Sequence, residues 1–386
     1  MKIPFHRPIL PDDLNQLFDK SLRDGWLTTG PIVKAFESEL SDFLNAKHVI
    51  AVNSCTAALH LALASQRFQI NDKFIAPTYT FVSSVEVGEY MGMRPILVDS
   101  EIDEFNFDLN HVESELKRDN EIKAIIPVHF GGKPVQMSQV FFLAEKYNLF
   151  VLEDAAHALE SYSDVGKVGN TDYATAFSFY ANKNITTGGE GGALSTNDSI
   201  LAEKIRKLSL HGMSKDGYKR FQAGGKWMYD ISDLGYKYNM TDISASFGLW
   251  QFRHLDEWHD RRITIFNKYC NQLSKIDGII CPKSETNSME AYHLFPIQIV
   301  PEAWNISRNK LIIQINDKGI GTSVHYIPIH MHSYYHKKYG YSQNDFPNAK
   351  RLSESVITLP LYPSLKDDEI DYIIKILLKL WSKHQL

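Results

Sequence analysis

The sequence predicts an α/β protein with a large domain over residues 1–248, including an N-terminal arm, and a smaller C-terminal α+β domain over 249–386. Three observations carry this. Seven short β-rich runs lie between Ala46 and Thr196: "HVIAVNS", "KFIAPTYTF", "RPILVDS", "AIIPVHFGG", "LFVLEDAA", "ATAFSFY" and "GGALSTN". Helical patterns such as "QMSQVFFLAEKYN" separate them. Near-continuous apolar strands alternating with helices indicate a mainly parallel sheet covered by helices. After a long helical stretch, "GYKYNMTDISASFGLWQFRHLDEWHDRR", the pattern thins to sparser strands and amphipathic helices ending in "DDEIDYIIKILLKLW".

A chain of 386 residues with 44% hydrophobic content can bury a core in each domain. Its formal net charge of -5 offers no polycationic footprint, so neither nucleic acid nor an anionic membrane is expected as a partner. The opening "MKIPFHRPILPDDLNQLF" lacks a basic segment followed by an apolar one, and no apolar run is long enough to span a bilayer. A cytoplasmic location is expected. Cys55, Cys270 and Cys281 have no CxxC spacing and read as reduced thiols rather than disulfide or zinc ligands.

In a parallel sheet, ligands collect beyond the carboxyl ends of the strands. The residues closing the runs are Ser54-Cys55-Thr56, Phe81, His129, Asp154 and Lys183. "NSCTAALHLALA" passes from strand to helix at small polar residues, where free first-turn amides and the helix dipole suit a phosphate. A plain N-cap explains the same residues. "VLEDAAHALES" leaves Glu153 and Asp154 at the end of an apolar strand, where a buried carboxylate needs a cation such as a protonated pyridine nitrogen; a helix N-cap is the alternative. Glu153 and Asp154 are unsuited to a glycosidase pair because neighbouring strand residues point to opposite faces. In "FSFYANKNITTGGEGGAL", Lys183 follows a strand, and desolvation would favour the neutral amine that attacks an aldehyde. A phosphate holder, a pyridinium partner and a Schiff-base lysine, each on a strand end, together describe a pyridoxal phosphate (PLP) site.

Eight motifs in order, "GWLTTGP", "NSCTAALHLAL", "PTYTFVSS", "IIPVHFGG", "EDAAHALES", "FSFYANKNITTGGEGG", "GYKYNMTDI" and "VHYIPIH", resemble the DegT/DnrJ/StrS-type sugar aminotransferases over nearly the whole chain. The resemblance implies a fold-type-I PLP enzyme with a mainly parallel seven-stranded sheet. It assigns Lys183 the Schiff base to the cofactor and the later proton shuttle, and Asp154 the pyridine nitrogen. By the same resemblance His157, where glutamine is commoner, faces the phenolic oxygen; Phe81 stacks on one ring face with Ala156 against the other; and Ser178 joins Ser54, Cys55 and Thr56 at the phosphate. His325 and Tyr326 fall near a nucleotide-sugar pocket, while His330 and His332 lack a carboxylate or cysteine at ligand spacing, so no metal is expected.

Where many relatives read "GYNYRMT", this chain has Lys237 and Asn239 in "GYKYNMT", at the place from which the family reaches the neighbouring subunit's phosphate. A homodimer with shared active sites is therefore implied. The "KYN" form resembles the subgroup that makes 4-amino-4-deoxyarabinose nucleotides and related 4-amino sugars. The implied reaction is transamination of a nucleotide-linked keto-sugar, at C4, with L-glutamate as amino donor. The alternatives are a C3-aminating enzyme, a PLP- or PMP-dependent sugar dehydratase, a non-catalytic sensor of PLP or sugar nucleotide, and a nicotinamide oxidoreductase. Lys183 counts against the dehydratases, which carry histidine there. The oxidoreductase lacks its glycine fingerprint, since "GGEGG" sits in no strand-turn-helix context.

Overall fold

A computed structural model describes residues 1–13, 17–19, 23, 25–213, 229–283 and 289–386. Seven strands form the main sheet: β1 (His48–Val52), β2 (Lys73–Pro77), β3 (Arg94–Val98), β4 (Ile122–Ile125), β5 (Phe150–Asp154), β8 (Ala174–Ser178) and β9 (Gly192–Thr196), with a small hairpin of β6 (Tyr162–Ser163) and β7 (Gly166–Lys167) between β5 and β8. Their spatial order is β1-β9-β8-β5-β4-β2-β3. β9 runs antiparallel to both its neighbours, and every other pairing is parallel. The expected mainly parallel sheet is therefore present, and all its strands except β9 deliver their carboxyl ends to one edge.

The strands are almost wholly buried because both faces are covered. On one face pack the helices Cys55–Ala64 and Ser83–Tyr90, against Ile50 and Val52 of β1; on the other, Pro31–Leu44 meets Val49 and Ala51 of β1 through Val33, Phe36 and Leu40. The helix Met137–Tyr147 covers the rest of this second face with Val140, Leu143 and Ala144, against Ile75, Ile125 and Val151.

A second sheet, β10 (Ile279–Ile280), β11 (Phe295–Ile299) and β12 (Val356–Leu359), pairs antiparallel throughout. It shares a core with the helices Leu255–Leu273, Arg308–Asp317 and Asp367–His384. Ile3 belongs to this core too, bridging to Ile320, and Arg7 pairs with Glu369, so the start of the chain packs beside its end. The division we propose at residue 249 lies inside the helix Asp242–Phe252, so one rigid element spans the change of core. No helix among the described residues is long and apolar enough to cross a membrane.

Candidate active site

The sheet edge opens into a cleft with about 1180 Å³ of empty space, counting its mouth, and the strand ends supply its walls. Ser54, Cys55 and Thr56 come from the end of β1, Phe81 from beyond β2, Asp154, Ala156 and His157 from the end of β5, Ser178 from β8, and Lys183 from the turn after it. His325 and Tyr326 close the opposite side. Residues spread over more than 250 positions of sequence thus share one cavity because parallel strands end together.

Ser54 caps the helix Cys55–Ala64, accepting a hydrogen bond from the Ala57 amide at 3.0 Å. The capping reading and the ligand reading are compatible, since the cap fixes the first turn from which further amides point outward. Gly192 lies against this turn: a Cβ there would stand 2.5 Å from the Cys55 nitrogen. Beyond Lys183, Gly188 and Gly189 take positive φ values of 88° and 126°, which lets the chain reverse into β9.

Asp154 is buried, and its two oxygens are held differently. Oδ2 accepts from the Ser84 hydroxyl at 2.6 Å and Oδ1 from the Ala156 amide at 3.1 Å. Among the described residues it has no ion pair, so a carboxylate with free lone pairs faces the cleft. Glu153 points away, as strand alternation requires, and is spent on His129 Nε2 and Thr175 Oγ1, each at 3.0 Å.

Lys183 makes no ion pair among the described residues. Burial pulls its pKa down to about 8, with Cys55 and Asp154 pulling the other way. At neutral pH a usable fraction of the amine is uncharged. Burial also lowers His157 well below the usual imidazole value, aided by Lys183 and His325, and brings His325 to about 4. The Gly131 amide donates to His157 Nδ1 at 3.1 Å, leaving the ring proton on Nε2, which meets the Tyr326 hydroxyl at 3.3 Å. His157 is thus a neutral donor in the cleft.

The donor set matches PLP group by group. A buried, unpaired carboxylate suits the pyridinium; an uncharged amine suits the aldehyde; an imidazole N–H suits the phenolic oxygen; and a capped helix start with Thr56 and Ser178 suits the phosphate. Phe81 is 57% exposed on the cleft rim, its ring 6.0 Å from that of Tyr326, placed to cover a planar ligand.

Fold and cleft together define a PLP-dependent aminotransferase. The chain belongs to the DegT/DnrJ/EryC1/StrS aminotransferase family, whose model matches residues 8–378. It is 41% identical over 374 residues to the spore coat polysaccharide biosynthesis protein SpsC of Bacillus subtilis, covering 97% of this chain and 95% of that protein. The Streptococcus pneumoniae protein Spr1654 in its PMP-form superposes with a TM-score of 0.91 at 32% identity, covering 99% of this chain and 100% of that one. Helicobacter pylori PseC, an aminotransferase involved in the biosynthesis of pseudoaminic acid, gives a TM-score of 0.91 at 26% identity, with 99% and 100% covered. The protein is a PLP-dependent sugar aminotransferase.

Lys237 and Asn239 stand apart from these walls. Lys237 Nζ binds Asn239 Oδ1, and Asn239 Nδ2 donates to Thr29 Oγ1 at 2.7 Å, which joins "GYKYNMT" to "GWLTTGP". Neither residue lines the cleft of its own chain. His330 is buried, with Nδ1 on Thr78 Oγ1 at 2.7 Å, and His332 bonds the Ile327 carbonyl at 3.2 Å, so the two diverge. Sequence reasoning missed Ser84, Asn184 and His293. Ser84 lay within a quoted motif, but no spacing tied it to Asp154, 70 residues away.

Proposed function

We propose that the protein transfers an amino group from L-glutamate to C4 of a nucleotide-linked keto-sugar, yielding an amino sugar for a surface polysaccharide or glycan. The observation that carries the reading is the cleft in which an uncharged-prone Lys183 amine faces the Asp154 carboxylate and the start of the helix Cys55–Ala64. The SpsC relationship supports the polysaccharide context, and "GYKYNMT" supports a 4-amino product.

When bound, PLP supplies an electron sink for ionising the C–H bond of the carbon that bears nitrogen. The residues divide the remaining work. Asp154 keeps the pyridine nitrogen protonated. Ser54, Cys55, Thr56 and Ser178 would hold the phosphate, and Phe81 and Ala156 would flank the ring. His157 donates from Nε2 to the phenolic oxygen. Lys183 anchors the cofactor and, once released, carries the proton between carbons on its Nζ. His325 and Tyr326 border the sugar side.

In this reading the molecule is a cytoplasmic homodimer in which Lys237 or Asn239 of each chain serves the other's phosphate, consistent with their position off their own cleft. The test is a panel of UDP-, dTDP- and GDP-linked 4-keto and 3-keto sugars incubated with enzyme and glutamate, with products read by mass spectrometry and NMR. A C4 amine on one of them is expected. Exclusive C3 amination would replace the regiochemistry, and binding without turnover across the panel and across amino donors would favour the sensor.

A further inference from the structure

The residue after Lys183 ties the catalytic turn to a buried network. Asn184 Nδ2 donates to Glu160 Oε2 at 2.6 Å and to the Ala291 carbonyl at 3.1 Å, and Glu160 is paired with buried Arg262. With its amide hydrogens spent on acceptors, Asn184 presents its carbonyl oxygen to His293 Nδ1 at 2.8 Å. An acceptor in that position requires the proton on Nδ1. Burial, then the neighbouring His157, Lys183, His325 and Arg262, push the His293 pKa well below the usual imidazole value, so the ring is neutral and Nε2 keeps its lone pair.

His157 has the opposite tautomer, and the two ring centroids stand 4.6 Å apart. Of the four imidazoles that line the cleft, His157 therefore donates and its neighbour His293 accepts. A smaller cavity adjoins the cleft, bounded also by His6, Arg262 and Tyr362; Asn182, Lys183 and His293 are common to both walls. Lys183 and His293 thus line the same partition.

We propose that His293 is a positioning residue for Lys183, its Nε2 lone pair accepting a hydrogen bond from the Lys183 ammonium in the pyridoxamine form, when the lysine is displaced from the cofactor into the space the two residues line together. The proposal rests on the role given to Lys183 above. A neutral acceptor steadies the ammonium without the full charge by which a carboxylate would keep it protonated. The titratable or charged groups around the pair include Asp154 and Cys55 on the side of Lys183, His157, His325 and Arg262 around His293, Glu160 behind Asn184, His6, Arg7 and Tyr362 in the smaller cavity, and His129, Tyr180, Glu190 and Tyr326 in the cleft. Asn184 and Glu160 act through His293 by fixing its tautomer.

The experiment uses the full-length enzyme loaded with pyridoxamine phosphate, in which Lys183 is free. Acylation of Lys183 with an amine-selective reagent across pH, quantified at that peptide by mass spectrometry, gives the midpoint of its ionisation. His293→Leu is expected to lower the midpoint by about one pH unit, the scale of one hydrogen bond to a charged group, while His293→Gln retains an acceptor and stays near wild type. An unchanged midpoint in folded His293→Leu would overturn the proposal. Neutron diffraction from wild-type crystals of the same form provides a second test that needs no variant: a deuteron on His293 Nδ1 and none on Nε2 is expected, and a deuteron on Nε2 would overturn it. Full turnover by Lys183→Ala would instead remove the role of Lys183 itself, whereas an inactive Lys183→Ala with an unchanged midpoint would remove only that of His293.

Discussion

Replacing Lys183 by methionine should stabilise the cofactor-free protein, by an amount that depends on pH. Burial brings the Lys183 amine from its ordinary 10.5 down to about 8. The unfolded chain therefore binds the proton more tightly than the native one, and folding below pH 8 carries the penalty of burying an ammonium. The difference of about 2.5 pH units corresponds to about 3 kcal/mol at pH 7, at roughly 1.36 kcal/mol per unit. As pH rises between 8 and 10.5 the penalty fades, to about 2 kcal/mol at pH 9 and to near zero above 10.5. Methionine keeps most of the side chain's volume and does not titrate, so it escapes the penalty. Urea unfolding of cofactor-free wild type and Lys183→Met at pH 7, 8, 9 and 10 measures the difference, in which titrations common to both proteins cancel. The advantage of the variant should shrink steadily with rising pH. A difference independent of pH would show that Lys183 is not desolvated, and would remove the physical basis for its uncharged amine.

The Asp154→Asn enzyme should lose at least about a hundredfold in kcat, the scale of removing one pre-organised electrostatic group, as measured by steady-state transamination; near-normal turnover would show that the pyridine nitrogen is stabilised otherwise. In Gly192→Ala the new Cβ would stand 2.5 Å from the Cys55 nitrogen and displace the helix start, so PLP should dissociate faster in dialysis while the variant remains folded by circular dichroism. Mixing Lys183→Ala with Lys237→Ala subunits tests the shared site. If Lys237 acts across the dimer, activity should return toward half of wild type per mixed dimer; no return, despite confirmed exchange and a strong defect in Lys237→Ala alone, would place Lys237 in its own chain's service.

The sequence by itself determined the sheet and the strand ends. Strand periodicity and the apolar runs are local properties, and the polar residues that interrupt them, from Ser54 to Lys183, are visible without knowledge of any neighbour. Parallel strands covered by helices must end together, so residues that close successive runs converge whatever the details of packing. That is why Ser54, Thr56, Asp154 and Lys183 could be gathered from the chain alone, and why Glu153 could be separated from Asp154. The family motifs added His157 and Ser178, and also His325 and Tyr326, which lie outside the runs.

Only the tertiary structure decided how those residues are held. Ser84 on Asp154, Asn184 between Glu160 and His293, and Ile3 beside Ile320 join positions 70, 24, 109 and 317 residues apart. A buried polar group must find a partner, but that requirement does not set the partner's position in sequence. The tautomers of His157 and His293 were equally beyond sequence, because a ring proton goes where the surrounding donors and acceptors send it. Gly131 sets one and Asn184 the other, and both act through contacts that exist only once the strand ends have met.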